Sequence, residues 1–182
     1  MTRRMPKRSI DQLVAGNLAF LSQGHELIRR LADELYSAPP PGGLRGGIGA
    51  HFRHVLDHYE CFLAGWREAR IDYDRRERDP RTETERPYAL DKIASLRDAF
   101  ECLLGADPER ALDVVVDCGE PGERFESRST LARELQFLVS HTVHHYAVIA
   151  LILRARGVEP GAEFGVAPST LKYEQGTKAC AR

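Results

Sequence analysis

The chain has 182 residues, 42% hydrophobic and 29% charged, proportions of a soluble globular domain with room for a substantial core. Its 26 Lys and Arg against 27 Asp and Glu leave a net charge of −1, so no global basic field recruits nucleic acid. No run approaches the roughly 18 consecutive apolar residues that span a bilayer, and the basic Met1–Arg8 stretch lacks the apolar segment of a signal peptide.

Ser9 and Gln12 have the spacing of a capping box, which predicts a helix start there. Leu13, Val14, Leu18, Leu21, Ile28, Leu31 and Leu35 then recur at helical spacing until Pro39 to Gly43 break the run. The first helix is therefore expected over about residues 10–36. A second is expected from near Ile48 to about Arg70, with Phe52, Val55, Leu56, Tyr59, Phe62 and Leu63 on its apolar face. Ile71 to Pro87 is crowded with charge and reads as a long loop, and a third helix follows over about Leu90 to Leu104. Val114 to Val116, the glycines at 119 and 122, and Phe125 predict a short β-hairpin. The fourth helix should start at Ser129 or Thr130, both N-cap residues, and run to Arg156, where Gly157 stops it. Val158 to Arg182 shows turn-formers (Pro160, Gly161, Pro168) and no clear periodicity. The expected fold is all-α, an antiparallel four-helix bundle with a short β-hairpin before the last helix. It makes one domain over 1–182, with the bundle at about 10–156 and a C-terminal tail at 157–182.

The four cysteines (Cys61, Cys102, Cys118, Cys180) contain no CxxC pair, which argues against a zinc ribbon or thioredoxin-type site and suggests reduced thiols in a cytoplasm. Cys61 and Cys102 read as small buried hydrophobes, and His25 reads as structural.

Six of the seven histidines fall in two segments, HFRHVLDH and HTVHH. On the fourth helix, His141 and His145 lie within the arc of Leu138, Ile149 and Ile152, and their i, i+4 spacing lets one helix offer two nitrogens to one metal. His144 lies roughly 60–100° away. Glu134 also faces inward, as a fourth ligand or an acceptor for an imidazole N–H. On the second helix His51, His54 and His58 share one edge of the apolar face, within about 60° of one another, and each is a candidate to point inward. One of them would complete a three-histidine site with an open position, the arrangement of catalytic zinc sites. Against this stands the blander fact that a lone inward histidine is usually a hydrogen-bonded core residue.

These motifs resemble the DinB/YfiT-like superfamily of metal-dependent bundles. The resemblance rests on His54-Val55-Leu56-Asp57 and on His141-Thr142-Val143-His144-His145, and it covers about residues 10–156. It implies one ligand from the second helix and the first and last histidines of the fourth-helix motif: His54, His141 and His145. His51, one turn earlier, is the alternative on the second helix. The Glu163–Gln175 stretch departs from the general pattern and looks like the mark of a subgroup. The resemblance further implies a divalent metal cofactor, zinc first and nickel or iron next. It implies a small-molecule substrate and, from thiol S-transferases and isomerases of the family, a low-molecular-weight thiol cosubstrate.

The leading expectation is a cytoplasmic metal-dependent transferase, hydrolase or isomerase, with no nucleic-acid or membrane partner and with a homodimer as the expected assembly. Glu134 or Asp57 would orient an imidazole or shuttle a proton, and Arg75, Arg76 and Arg78 would meet an anionic substrate. The rival is a non-catalytic, stress-associated or dimerising bundle with a structural histidine cluster. A ferritin-like di-iron site needs inward Glu and Glu-x-x-His motifs on paired helices, which the sequence lacks.

Overall fold

The computed structural model describes residues 9–42, 45–117, 119 and 124–180. The basic Met1–Arg8 stretch, Cys118 and Gly122 lie outside them. The chain is mostly helical, with one small three-stranded sheet.

The first helix, α1 (Asp11–Arg30), starts close to expectation but ends early. Ser9 Oγ accepts from the Asp11 N–H at 3.2 Å rather than from Gln12, so the capping box does not form as expected. Leu31 and Ala32 are extended, and a short α2 (Asp33–Ser37) follows. This break corrects the single helix expected over 10–36. The two extended residues keep Leu31 buried while turning Tyr36 inward, where its hydroxyl donates to the Thr82 carbonyl at 2.6 Å.

Helix α3 (Ile48–Gly65) begins where expected and stops five residues short of Arg70. The chain reverses there: a Cβ on Gly65 would lie 2.2 Å from the Arg70 carbonyl oxygen, and Ala69 takes a positive φ of 58°. The reversal feeds strand β1 (Arg70–Asp72), so the segment expected to be a loop opens with a strand and also contains a short helix, α4 (Arg81–Thr84). Helix α5 (Arg86–Phe100), with Pro87 in its first turn, starts four residues before the expected Leu90 and ends in a 3-10 turn at Glu101–Leu103.

The predicted hairpin is present as β2 (Ala111–Asp117) and β3 (Arg124–Thr130), antiparallel with Val114 opposite Ser127. β1 joins it in parallel, Ile71 opposite Val114, giving the order β1-β2-β3. Thr130 caps α6 (Leu131–Ala155) by accepting the Arg133 N–H, and Gly157, at φ 72°, follows its end. By length and composition α6 is long and apolar enough to cross a membrane. It nevertheless carries Arg133, Glu134 and three histidines and packs against α1 and α3. The tail holds a further helix, α7 (Pro168–Cys180), which the sequence pattern did not predict.

The four long helices touch in a ring: α1 against α5 and α6, α3 against α5 and α6. One cluster of buried side chains fills the space between them. Within it three fully buried polar residues form a knot. Asn17 Nδ2 donates to the Leu13 and Leu135 carbonyls (2.8 and 3.0 Å), its Oδ1 accepts from the Tyr59 hydroxyl at 3.0 Å, and Thr142 donates to the Leu138 carbonyl at 2.7 Å. The loop after β1 is clamped at both ends. Arg124 of β3 holds Asp72 at 2.5 and 2.6 Å, Asp74 accepts the Asp117 N–H, and Asp79 takes bonds from Arg81 and Tyr88.

Candidate functional site

Helices α3 and α6 run their histidines alongside one another. His54 Nε2 lies 3.1 Å from His141 Nε2, and His51 Nδ1 lies 2.9 Å from His145 Nδ1. His54, His58 and His141 each place a ring nitrogen within 4.8 Å of the other two. The His145 ring stands 4.5 Å from that of His54 and 4.6 Å from that of His141, centroid to centroid. His144 is exposed at the margin, touching only the edge of this group, and His25 lies elsewhere on α1.

On α3 the spacing leaves His51, His54 and His58 equally placed, and the family resemblance singles out His54, with His51 as its alternative. The structure draws in His58 as well. The signal was its spacing: His54 and His58 repeat on α3 the i, i+4 pair that His141 and His145 make on α6.

Hydrogen-bond partners fix where the protons sit. A carbonyl only accepts, so His58 Nδ1 carries the hydrogen it gives to the His54 carbonyl at 2.7 Å, and its Nε2 keeps a free lone pair. Arg76 Nη1 donates to His54 Nδ1 at 3.1 Å, which leaves the His54 proton on Nε2, directed at His141 Nε2. The His141 proton then sits on Nδ1, a buried atom with no partner. His51 Nε2 is orphaned in the same way.

Burial disfavours the imidazolium form throughout the cluster. It pushes His54 down to about 3, helped by the neighbouring His58, His145 and Arg76. It pushes His141 to about 2 and His145 to about 4, again with adjacent histidines adding to the effect. His51 and His58 are lowered by the same cause, with the hydrogen bond to the His54 carbonyl partly opposing it at His58. Neutral imidazoles with free lone pairs are the form that ligates a metal. Two nitrogens bound to one zinc at tetrahedral angles stand about 3.3 Å apart, close to the 3.1 Å between His54 and His141. With the His54 proton moved to Nδ1, the donor set fits a divalent transition metal.

The two carboxylates singled out in the sequence take other places. Glu134 is buried and accepts from the Tyr73 hydroxyl at 2.9 Å and from Ser129 Oγ at 2.5 Å. It lines a cavity of about 260 Å³ with Tyr73, Val114, Arg128, Arg133 and Phe137. Its link to the cluster is indirect: Tyr73 stacks on His58 (5.5 Å) and Phe137 on His141 (5.5 Å), forming an aromatic wall between cavity and histidines. Asp57 is 3% exposed, and its Oδ1 has no hydrogen-bond partner. Burial raises its carboxyl to about 6, with Lys92 opposing. Of the three loop arginines, Arg76 reaches the cluster, whereas Arg75 and Arg78 are exposed. Cys61 is half-buried, its thiol pushed up to about 11 chiefly by burial, while Cys102 is exposed, which corrects its reading as a buried hydrophobe.

Comparison with known proteins gives two results. FK506-binding protein 5 of Rhizopus delemar (strain RA 99-880) is 30% identical over 105 residues, 57% of this chain and 27% of that protein. The chain thus spans about a quarter of the length of the curated relative it matches. The sequence model of the DinB superfamily matches residues 22–149, a segment that holds every histidine of the cluster and all four long helices in whole or in part. This chain belongs to the DinB superfamily.

Proposed function

We propose that the histidine cluster binds one divalent metal ion, zinc before nickel or iron, and that the protein is a metal-dependent enzyme acting on a small molecule. The carrying observation is the 3.1 Å approach of His54 Nε2 to His141 Nε2 from two different helices, with His58 and His145 beside them. His54 and His141 are the pair this reading is built on, with His51, beside His145, the alternative from α3. His145 is the third ligand implied by the family resemblance, and His58, whose carbonyl-bound Nδ1 leaves Nε2 free, is its rival for that place. An antiparallel four-helix bundle, with the hairpin at its side, is the frame that holds the two histidine helices together.

A metal so held supplies a lowered pKa to bound water or thiol, giving a nucleophile near neutral pH. The chain's own residues do the rest. Tyr73 and Phe137 shield one side of the imidazoles from water, and Asp57 holds or releases a proton at its unpartnered Oδ1. A low-molecular-weight thiol is the cosubstrate in this reading, with a cytoplasmic homodimer as the working form.

Metal content of tag-free protein prepared without chelating resin tests the proposal. The expected result is about one metal ion per chain, lost in His54→Ala and His141→Ala and kept in His51→Ala. Loss in His145→Ala but not His58→Ala selects the family arrangement, and the reverse selects the α3 pair. Wild-type protein that stays empty after zinc, nickel and iron are offered would overturn the enzyme reading in favour of a non-catalytic bundle.

A further inference from the structure

Arg76 is out of keeping with the other half-buried arginines. Arg53 and Arg86, comparably placed, each face a carboxylate, Glu83 and Asp33. Arg76 faces none within ion-pair distance among the described residues. Its guanidinium instead gives one N–H to His54 Nδ1; its buried Nε has no acceptor, as at Arg53, but unlike Arg53 it has no carboxylate beside it. Asp57 is close enough to feel its charge but makes no hydrogen bond to it. A guanidinium taken partly out of water with its Nε unpaired carries a desolvation cost.

The contact with His54 is also incompatible with ligation through the nitrogen nearest His141. His54 accepts from Arg76 at Nδ1, so its proton is on Nε2. To offer Nε2 to a metal, the ring must carry that proton on Nδ1 instead. Nδ1–H and the guanidinium N–H would then point donor at donor, and Arg76 must turn to a different acceptor. With neutral imidazoles around it, a dication and a guanidinium together leave the site rich in positive charge. The acceptor that answers both is an anion, and the planar two-pronged guanidinium matches a carboxylate.

We infer that Arg76 is the substrate-anion anchor of this site, resting on His54 in the metal-free protein and released to bind the carboxylate of a small organic acid when His54 takes a metal. The inference rests on the metal-site reading above and adds the substrate class and the residue that selects it. Arg75 and Arg78, both exposed, have no part in it.

Two measurements test it. In metal-free protein, ¹⁵N-histidine NMR reads the His54 tautomer. The proton is expected on Nε2 in wild type and no longer fixed there in Arg76→Gln. A wild-type His54 protonated on Nδ1 would overturn the resting contact, whether or not metal is taken up. In cobalt-loaded protein, acetate titration is followed by the visible ligand-field bands. Arg76→Gln should retain cobalt yet bind acetate about tenfold more weakly or worse, as loss of a charge-assisted hydrogen bond implies. Arg76→Lys, a point charge without the fork, should fall between. Acetate affinity unchanged in a cobalt-replete Arg76→Gln protein would overturn the anchor while leaving the metal site standing. Failure of wild type to hold cobalt would instead strike the metal-site reading and the anchor with it.

Discussion

Two polar clusters bridge α3 and α6, and they obey opposite rules. Tyr59 and Thr142 follow His58 and His141 by one residue each, so the knot and the histidine site occupy adjacent faces of the same two helices. In the knot, Asn17 uses both its amide and its carbonyl, and Tyr59 and Thr142 each donate to a good acceptor. In the histidine site, three buried atoms lack partners: His51 Nε2, His141 Nδ1 and Arg76 Nε. A satisfied buried network fixes a fold, whereas an unsatisfied one costs stability that something else must justify. The knot satisfies itself and holds helices in register, whereas the histidine cluster leaves buried polar atoms unpaired, which is what the proposed metal site would draw on.

The contrast can be broken at either side. Asn17→Leu keeps the volume of the knot but strands the Tyr59 hydroxyl hydrogen, so chemical denaturation should show a loss of about 2 kcal/mol, roughly the desolvation of one buried group. Acidification probes the other side. Imidazoles held near 3, 2 and 4 in the folded state bind protons more readily once unfolded, from about pH 6.5 downward. Their contribution to stability is therefore present above pH 6.5 and is lost as pH falls toward the folded values. Asp57, raised to about 6, acts in the opposite direction between its unfolded pKa of about 4 and that value. Three shifted imidazoles outweigh one carboxyl, so the melting temperature of metal-free protein should drop between pH 6.5 and 4, and more steeply in Asp57→Asn. A flat profile would mean the imidazoles are not buried as described. The smallest effect is expected from His141→Leu in metal-free protein, where removal of the orphaned Nδ1–H offsets loss of the acceptor for His54 Nε2–H. Stability should change by less than about 1 kcal/mol, in either direction. A loss as large as that of Asn17→Leu would make the cluster another structural knot.

What the sequence revealed follows from how strongly each element advertises itself. The start of α3, the Thr130 cap, the stop at Gly157 and the valine-rich hairpin all carry local chemistry, and each lies where expected. The break at Leu31–Ala32 was hidden because the apolar spacing runs straight through it: Leu31 and Tyr36 are buried on either side, so the pattern never lapses. β1 exists only through its pairing with β2, since a single buried residue, Ile71, gives no alternation to read. α7 is exposed along the residues whose burial is described, apart from half-buried Leu171, so it has no apolar stripe to betray it. At the site, spacing brought out the histidines of α6 and the ambiguity on α3. It gave no means of knowing that Tyr73 and Phe137 would wall off Glu134, because that depends on where the sheet docks.

The clamps on the loop carrying Arg76 have a consequence for how such a protein diversifies. Asp72 and Asp74 fasten one end to the sheet, and Asp79 fastens the other beside α4. Between them, residues 75–78 make one described bond to the histidines, from Arg76, a long backbone bond from the Arg75 N–H to the Asp72 carbonyl at 3.4 Å, and a weak sulfur contact from Cys61 to the Arg75 carbonyl. Those four positions can therefore vary without touching the imidazoles or the helices that present them, and if Arg76 anchors the substrate as proposed, such variation would change the molecule admitted.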